Sequence, residues 1–200
     1  MLVPGLWMPV VAFTLLASRL ARHGFTAHLF TYRGRSPFEA NVERLARFAR
    51  EHFAGRAAHF VGHSLGGLLI LDTLNRHAEV SAASAVLLGS PVRGCFAGRR
   101  LRKAGVGRWM MGASGPLWDE RPACWQRAAP LGVIAGTLSV GLGRALGRLP
   151  GPNDGVVLVA ETPVDGMTAQ VLVRHAHSAL VTSREVSELV ARFIAQNRFE

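Results

Sequence analysis

The amino-acid sequence predicts an α/β fold in which a mostly parallel β-sheet is covered by helices on both faces. Short apolar runs typical of buried strands alternate along the chain with amphipathic stretches of helical period. Of the 200 residues, 49% are apolar, which is enough to bury a core without disulfides. A length of 200 residues suits one compact domain, so residues 1–200 are expected to form a single domain, and the sequence has no internal repeat.

The first part of the chain shows this alternation from the start. The stretch LVPGLW contains a very short apolar strand and a Pro-Gly turn, and Pro9 then begins a helix that ends at Gly24. Residues 25–32 predict a second strand, and RGRSP predicts the loop after it. Ser36 and Glu39 have capping-box spacing and precede an apolar helical stripe made of Phe38, Val42, Leu45, Ala49 and Phe53.

The rest of the chain repeats the pattern. AAHFVGH at 57–63 predicts a strand, residues 64–78 a helix, and SAVLLGS at 84–90 another strand. LGVIAGT and AQVLV predict two further short strands. Thr182 and Glu185 form a second capping-box pattern ahead of a helical stripe made of Val186, Leu189, Val190, Phe193 and Ile194.

Residues 92–128 interrupt the alternation and are expected to be an insertion after the strand at 84–90. The segment contains eight basic residues against two acidic ones, with tryptophan and methionine side chains between them. We predict that it forms a small cap or lid over a pocket, because tryptophan and methionine offer adaptable apolar contacts. The alternative is an ordinary helical insertion whose aromatic side chains pack inward. The predicted pocket residues are Trp7, Trp109, Met110, Met111 and Trp118.

The formal net charge is +10, and arginine supplies almost all of the positive charge because Lys103 is the only lysine. Such a balance favours anionic partners, and for the 92–128 segment these are an anionic lipid, a CoA phosphate or an acidic carrier protein. The alternative is a merely basic, solvated surface. No motif for nucleic-acid binding accompanies the charge, so we expect no nucleic-acid partner.

Composition also bears on location and on metals. Cys95 and Cys124 belong to no CxxC pair and to no Cys/His cluster with metal-ligand spacing, so we expect no metal site and a reducing, cytoplasmic location. The N-terminal apolar stretch has no basic residue before it and is interrupted by proline and glycine, unlike a secretion signal. The uncharged run at 128–143 is too short and too rich in glycine for a transmembrane segment.

The stretch GHSLGG carries the strongest chemical signal. Gly62, Ser64 and Gly66 satisfy G-x-S-x-G directly after a predicted strand and directly before a predicted helix, which is the structural context of a nucleophile elbow. Such a turn crowds the backbone, so only very small residues fit beside the serine, and the hydroxyl is exposed at the carboxyl edge of the sheet. The start of the helix adds N–H groups where negative charge would develop. Ser64 is therefore the predicted nucleophile.

With this elbow the chain resembles the α/β-hydrolase superfamily, and bacterial serine esterases and lipases in particular. The resemblance extends over almost the whole chain: LVPGLW is similar to the oxyanion loop, GHSLGG to the elbow, LGSP to the segment after the next strand, PNDGVV to the acid loop and HSALVTSREV to the histidine loop. It implies a minimal version of the α/β-hydrolase fold and a catalytic triad in the chain order Ser, then Asp or Glu, then His.

A serine hydroxyl needs a base to take its proton, and His175 and His177 both follow the last predicted strand. Position in the chain does not separate these two histidines. The resemblance implies His177 as the catalytic residue and leaves His175 in reserve. His59 lies within the strand before the elbow, and His63 is expected to point away from the direction of the Ser64 side chain, so both are expected to be structural.

The resemblance also implies the acid of the triad. Asp154, in a loop of proline, glycine and asparagine, is similar to the family's acid and would hold the imidazole in the correct tautomer. Alternatively, NDG is a simple turn, and Glu161 and Asp165 are the other candidate acids. Asp72 lies on the helix after the elbow and is expected to be solvated or at the edge of the core.

An acyl transfer also needs two N–H donors for the oxyanion. The backbone N–H of Leu65, the residue after the nucleophile, is one expected donor, and the resemblance implies the backbone of Leu6 as the other. Pro4 stands where the family commonly has histidine. Proline supplies no side-chain hydrogen bond to brace this loop, although it stiffens the turn.

These features predict a serine hydrolase that cleaves the carboxylic esters of small molecules or lipids through an acyl-enzyme intermediate, without a metal or organic cofactor. The alternative enzyme is a thioesterase or acyltransferase that acts on acyl-CoA or acyl-carrier substrates. An alternative of another class is a catalytically weak protein of the same fold that binds a lipid or a partner protein.

Overall fold

A computed structural model of the chain describes residues 1–6, 8–34, 36–103, 117–141 and 149–200. Within these ranges, the centre of the protein is a five-stranded parallel sheet with the strand order β1-β2-β3-β4-β5. Its strands are β1 Leu2–Val3, β2 Ala58–His63, β3 Ala82–Leu88, β4 Leu131–Gly136 and β5 Ala169–Val173. The described helices are α1 Val10–Ala21, α2 Phe38–Phe53, α3 Leu65–Arg76, α4 Phe96–Lys103, α5 Ala179–Thr182 and α6 Arg184–Gln196.

Helices cover both faces of this sheet. α2 and α3 pack on one face in a core that includes Phe60 and Leu87, whereas α1 and α6 pack on the other face with Val61 and Val86. Because neighbouring residues of a strand point to opposite faces, the central strands are apolar at successive positions. The predicted α/β fold, with a parallel sheet covered on both faces, is confirmed.

The strand predicted over residues 25–32 is reduced to a single bridge between Leu29 and Leu2. Leu2 donates its N–H to the His28 carbonyl at 2.8 Å, and Phe30 donates to the Leu2 carbonyl at 2.9 Å. The prediction was wrong in extent because the neighbouring strand β1 is only two residues long. A strand needs a partner of similar length to complete its ladder.

Neither predicted capping box forms. α2 begins after Pro37, with no side-chain cap, and the Glu39 carboxylate pairs with Arg76 instead. α6 is capped by Ser183, whose hydroxyl accepts from the N–H of Val186 at 3.3 Å. Thr182 cannot cap α6 because it is the last residue of the short helix α5 and has helical geometry.

Parallel pairing brings the carboxyl ends of the strands to one edge of the sheet. β2 ends at His63, so Ser64 lies at this edge, and the loop after β4 contains Asp154. β5 ends at Val173, four residues before His177. The fold therefore places the three predicted triad residues on loops that leave the same edge.

The 92–128 segment is described at its two ends, and its middle lies outside the described residues. In its first part, the backbone N–H of Phe96 donates to the carboxylate of Glu161 at 2.5 Å. In its last part, the N–H of Trp125 donates to the carbonyl of Asp165 at 2.8 Å. Both ends are thus attached to the chain that follows the acid loop. The role of the segment as a cap stays a prediction.

No helix in the described part of the chain is long and apolar enough to cross a membrane. Among the same residues, no group of three or more histidine, cysteine, aspartate or glutamate side chains is placed to hold a metal ion.

Candidate active site

Ser64 occupies a strained turn between β2 and α3. Its backbone has φ 53° and ψ −124°, outside the left-handed helical region in which Ala54 and Asn197 lie. The N–H of Ser64 donates to the Leu88 carbonyl at the end of β3, at 2.9 Å. The turn therefore places Ser64 at the carboxyl edge of the sheet, where its backbone is hydrogen-bonded to β3.

The motif glycine Gly66 allows this turn to pack against β1. An ideal Cβ at Gly66 would lie 2.1 Å from the Val3 carbonyl oxygen and 2.5 Å from that of Pro4. Real Cβ atoms do not approach backbone oxygens so closely, so any larger residue would force β1 and α3 apart. The crowding expected from G-x-S-x-G is present at this position.

Asp154 and His177 are in direct contact. His177 Nδ1 lies 2.7 Å from Asp154 Oδ2, and the backbone N–H of His177 donates to the Asp154 carbonyl at 2.8 Å. The other carboxylate oxygen, Oδ1, accepts from the N–H groups of Val156 at 2.9 Å and Val157 at 2.7 Å. Asp154 is only 1% exposed. Since a carboxylate accepts, Nδ1 of His177 is the donor in this contact, and Nε2 is the ring nitrogen that Asp154 leaves available.

His63, directly before the serine, belongs to the same site. It is 1% exposed, its Nε2–H donates to the His177 carbonyl at 3.0 Å, and the centroids of the two imidazole rings are 4.5 Å apart. Burial and the neighbouring His177 lower the pKa of His63 well below its usual value, so this ring is neutral. Its Nδ1 has no hydrogen-bond partner among the described residues.

Sequence reasoning missed this contact of His63. Strand alternation does send the His63 side chain away from the direction of Ser64, toward Phe13 of α1. The histidine loop packs on that same face, which sequence spacing does not reveal. One signal was available in the sequence: His63 is the neighbour of the predicted nucleophile, and side chains with perturbed pKa values cluster at functional sites.

His175, the alternative candidate for the base, contacts other residues. His175 Nε2 is 2.7 Å from the Glu185 carboxylate and 2.9 Å from the hydroxyl of Ser183, at the start of α6. At the other end of β2, His59 Nδ1 lies 2.8 Å from the Ser84 hydroxyl. Neither ring is bonded to Asp154.

The other candidate acids also bond elsewhere. Glu161 accepts from the N–H groups of Phe96 and Leu158, and burial raises the pKa of this carboxyl. Asp165 pairs with Arg93. The Asp72 carboxylate lies 3.4 Å from Arg76 and 3.9 Å from Arg121, so it is at the core edge but ion-paired.

The predicted oxyanion loop lies directly on the elbow. An ideal Cβ at Gly5 would be 2.7 Å from Ser64 Cβ and 3.0 Å from His63 Nδ1, so only glycine allows this approach. Leu6 follows Gly5, and Leu65 is the first residue of α3. The two predicted donors, Leu6 and Leu65, thus each follow one member of the Gly5–Ser64 contact.

A cavity of about 260 Å³ opens beside this loop, lined by Pro4, Gly5, Leu6, Met8, Val10, Thr31, Tyr32 and Gly34. A larger cavity of about 320 Å³ lies at the opposite end of the strands, beside Met1, His28 and His59, far from the chemistry. Of these two cavities, the smaller one is the one beside the predicted oxyanion loop.

The predicted pocket residues Trp7, Trp109, Met110 and Met111 lie outside the described residues. Trp118 is described and is 5% exposed, with its ring against Gly98 of α4. Its place in a substrate pocket stays a prediction.

Comparison with known proteins gives both a family and a set of folds. A family model described as "Alpha/beta hydrolase family" matches residues 1–198. The mature lipase BlEst2 of Bacillus licheniformis is 16% identical, with a TM-score of 0.73 over 97% of this chain and 89% of that one. The metagenomic carboxyl esterase MGS0156 is 16% identical, with a TM-score of 0.69 over 98% of this chain and 75% of that one.

A third solved structure, phospholipase PlaB from Legionella pneumophila in complex with thio-NAD, is 14% identical, with a TM-score of 0.71 over 97% of this chain and 55% of that one. At these identities the similarity shows the fold alone. No curated protein sequence matches the chain.

The neutral, buried state of His63 predicts a pH-dependent stability. The folded protein does not protonate His63, whereas the unfolded chain does so near pH 6.5, so this contribution is complete above pH 6.5 and declines below it. We expect the free energy of unfolding of wild type to fall more steeply than that of His63→Asn, by up to about 1.4 kcal/mol per pH unit. Urea unfolding at pH 7.5, 6.0 and 5.0 measures the difference.

His23→Asn is the matched control, because His23 is exposed on the surface after α1. Its stability should fall with pH as steeply as that of wild type. Equal slopes for wild type and His63→Asn would contradict a neutral His63.

Proposed function

The chain belongs to the alpha/beta hydrolase family, and from this premise we propose that it is a serine hydrolase that cleaves carboxylic esters through an acyl-enzyme intermediate. The observation that carries the proposal is the 2.7 Å contact between His177 Nδ1 and Asp154 Oδ2, at the edge where Ser64 adopts its strained turn. The similar structures are those of a lipase, a carboxyl esterase and a phospholipase, which supports an ester substrate.

In the proposed reaction, Ser64 Oγ attacks the ester carbonyl carbon while His177 Nε2 takes the hydroxyl proton. The carbonyl oxygen becomes an oxyanion that accepts from the backbone N–H groups of Leu6 and Leu65. Collapse of this intermediate breaks the bond to the alcohol, which leaves with the proton from His177. Water then attacks the acyl-enzyme with His177 as the base, releasing the carboxylic acid and restoring Ser64.

Asp154 and His63 would both steady His177 in this cycle. Asp154 accepts from Nδ1–H and stabilises the imidazolium that forms when Nε2 takes the proton. His63 holds the His177 carbonyl at 3.0 Å without adding a positive charge, because burial keeps its ring neutral. A second cation 4.5 Å from His177 would oppose the imidazolium.

The cavity beside the oxyanion loop supports a substrate with an apolar group of modest size. Its volume of about 260 Å³ lies slightly below the usual range for ligand pockets, and side chains of Leu6, Met8 and Val10 line it. We further propose that the 92–128 segment covers this side of the protein as a cap, with its tryptophan and methionine side chains toward the acyl group.

The alternative thioesterase or acyltransferase would need free cations for the phosphates of CoA or a carrier. In the described part of the 92–128 segment, Arg99 pairs with Glu120 at 3.1 Å and Arg102 with Asp119 at 2.8 Å, while Arg93 pairs with Asp165. These pairs reduce the positive charge offered to an anionic partner. The ester substrate is therefore favoured.

A fluorophosphonate probe should label wild type at Ser64, because the probe reacts with an activated serine. Ser64→Ala should abolish labelling, and Ser139→Ala, which changes an exposed serine after β4, should leave it intact. Gel fluorescence and mass spectrometry of the labelled peptide measure the outcome. An unlabelled wild type would instead favour the catalytically weak binding protein.

Asp154→Asn should lower kcat for a p-nitrophenyl ester by roughly 10⁴-fold, because an amide at this position favours the wrong imidazole tautomer. Asp165→Asn is the matched control and should change kcat little, since Asp165 pairs with Arg93. Steady-state kinetics on both variants decides between them. A larger loss in Asp165→Asn would reassign the acid.

Wild type should cleave p-nitrophenyl butyrate with a kcat/KM at least about tenfold above that for butyryl-CoA, a difference of roughly 1.4 kcal/mol in transition-state binding. The reason is that Arg93, Arg99 and Arg102 of the 92–128 segment already pair with carboxylates. Both substrates carry the same acyl group, so the comparison isolates the leaving group. A preference for butyryl-CoA would support the thioesterase or acyltransferase.

A further inference from the structure

The oxyanion loop is held by a hydrogen bond from a residue that lies outside the loop. Pro4 stands at the start of the loop and has no side-chain donor and no N–H. The hydroxyl of Tyr32 donates to the Pro4 carbonyl oxygen at 2.8 Å, across 28 positions of the chain. This hydrogen bond fixes the peptide plane between Pro4 and Gly5, one residue before the Leu6 N–H.

Contacts of the Tyr32 ring and of the adjacent backbone fix the position of Tyr32. Its ring stacks on Phe30 with a centroid distance of 6.0 Å and an interplanar angle of 16°. The next carbonyl along the chain, that of Arg33, accepts from the side-chain amide of Asn41 on α2 at 3.1 Å, and Asn41 is 2% exposed. Burial also raises the pKa of the Tyr32 phenol, so the hydroxyl remains a donor at every pH used in an assay.

Two further contacts enclose the loop. An ideal Cβ at Gly34 would lie 2.2 Å from Leu6 Cδ2, so the Leu6 side chain rests against the chain just after Tyr32. Gly66 at the start of α3 also approaches the Pro4 carbonyl oxygen. The Pro4 carbonyl thus lies between the first turn of α3 and the hydroxyl of Tyr32.

We propose that Tyr32 is a positioning residue for the oxyanion loop, and that its hydrogen bond to Pro4 directs the Leu6 N–H toward the oxyanion. The inference rests on the proposed ester hydrolysis. A donor must lie 2.7–3.1 Å from the oxyanion to stabilise it. A shift of about 1 Å in such a group can cost on the order of a hundredfold in rate.

Tyr32→Phe tests the inference because it removes the hydroxyl and keeps the ring that stacks on Phe30. We expect kcat for p-nitrophenyl butyrate to fall by roughly 10- to 100-fold while KM changes less than about twofold, because the oxyanion forms only in the transition state. The Ki of butylboronic acid, which forms a tetrahedral anion on Ser64, should rise by a similar factor.

Thr73→Val is the matched control, since it also removes a buried hydroxyl that bonds a carbonyl, that of Val42 at 3.5 Å. It should leave kcat and Ki at wild-type values. Asn41→Leu removes the hydrogen bond to the Arg33 carbonyl and so loosens the backbone next to Tyr32. It should lower kcat as Tyr32→Phe does, which tests the Tyr32–Pro4 hydrogen bond independently.

The outcomes separate the two proposals. A Tyr32→Phe variant with a lowered unfolding temperature but wild-type kcat and boronate Ki would overturn the positioning role and leave ester hydrolysis standing. A parallel rise in KM with an unchanged Ki would also overturn it. A wild type that neither hydrolyses the ester nor reacts with a fluorophosphonate would overturn both proposals.

Discussion

The turn between β2 and α3 is the constraint on which the rest of the site depends. A residue held at φ 53° and ψ −124° costs on the order of 1–3 kcal/mol, so the surrounding structure must offset this strain. The offset comes from β2, which is buried between β1 and β3, and from the bond between the Ser64 N–H and the Leu88 carbonyl. A rigid sheet thus keeps one hydroxyl at its carboxyl edge in a conformation that an isolated chain would not hold.

Around this turn, two buried side chains with different charge contact His177. Asp154 is buried with three donors to its carboxylate, His177 among them, whereas His63 is buried as a neutral ring against the same histidine. His177 thus lies between the Asp154 carboxylate on one side and the uncharged His63 donor on the other, an arrangement that suits the reaction proposed for it. Elsewhere in the described chain, arginines such as Arg99 and Arg102 pair with carboxylates at the surface.

How far the sequence predicts the structure depends on the range of the interaction concerned. Strands were predictable where burial on both faces favours a mostly apolar run, as in β3 and β4. The start of α6 was not, because the residues before α6 already form α5 and so move the cap from Thr182 to Ser183. The extent of pairing at 25–32 also escaped prediction, since it depends on the length of β1.

The sequence by itself determined the order of strands and helices and the small residues around Ser64, because these follow from local conformation and from periodic burial. Only the tertiary structure decided that His177 contacts Asp154, that His63 lies against His177, and that Tyr32 bonds to Pro4. The last two contacts join residues 114 and 28 positions apart. Spacing along a chain contains no information about such distances, because they are set by how the loops pack at the edge of the sheet.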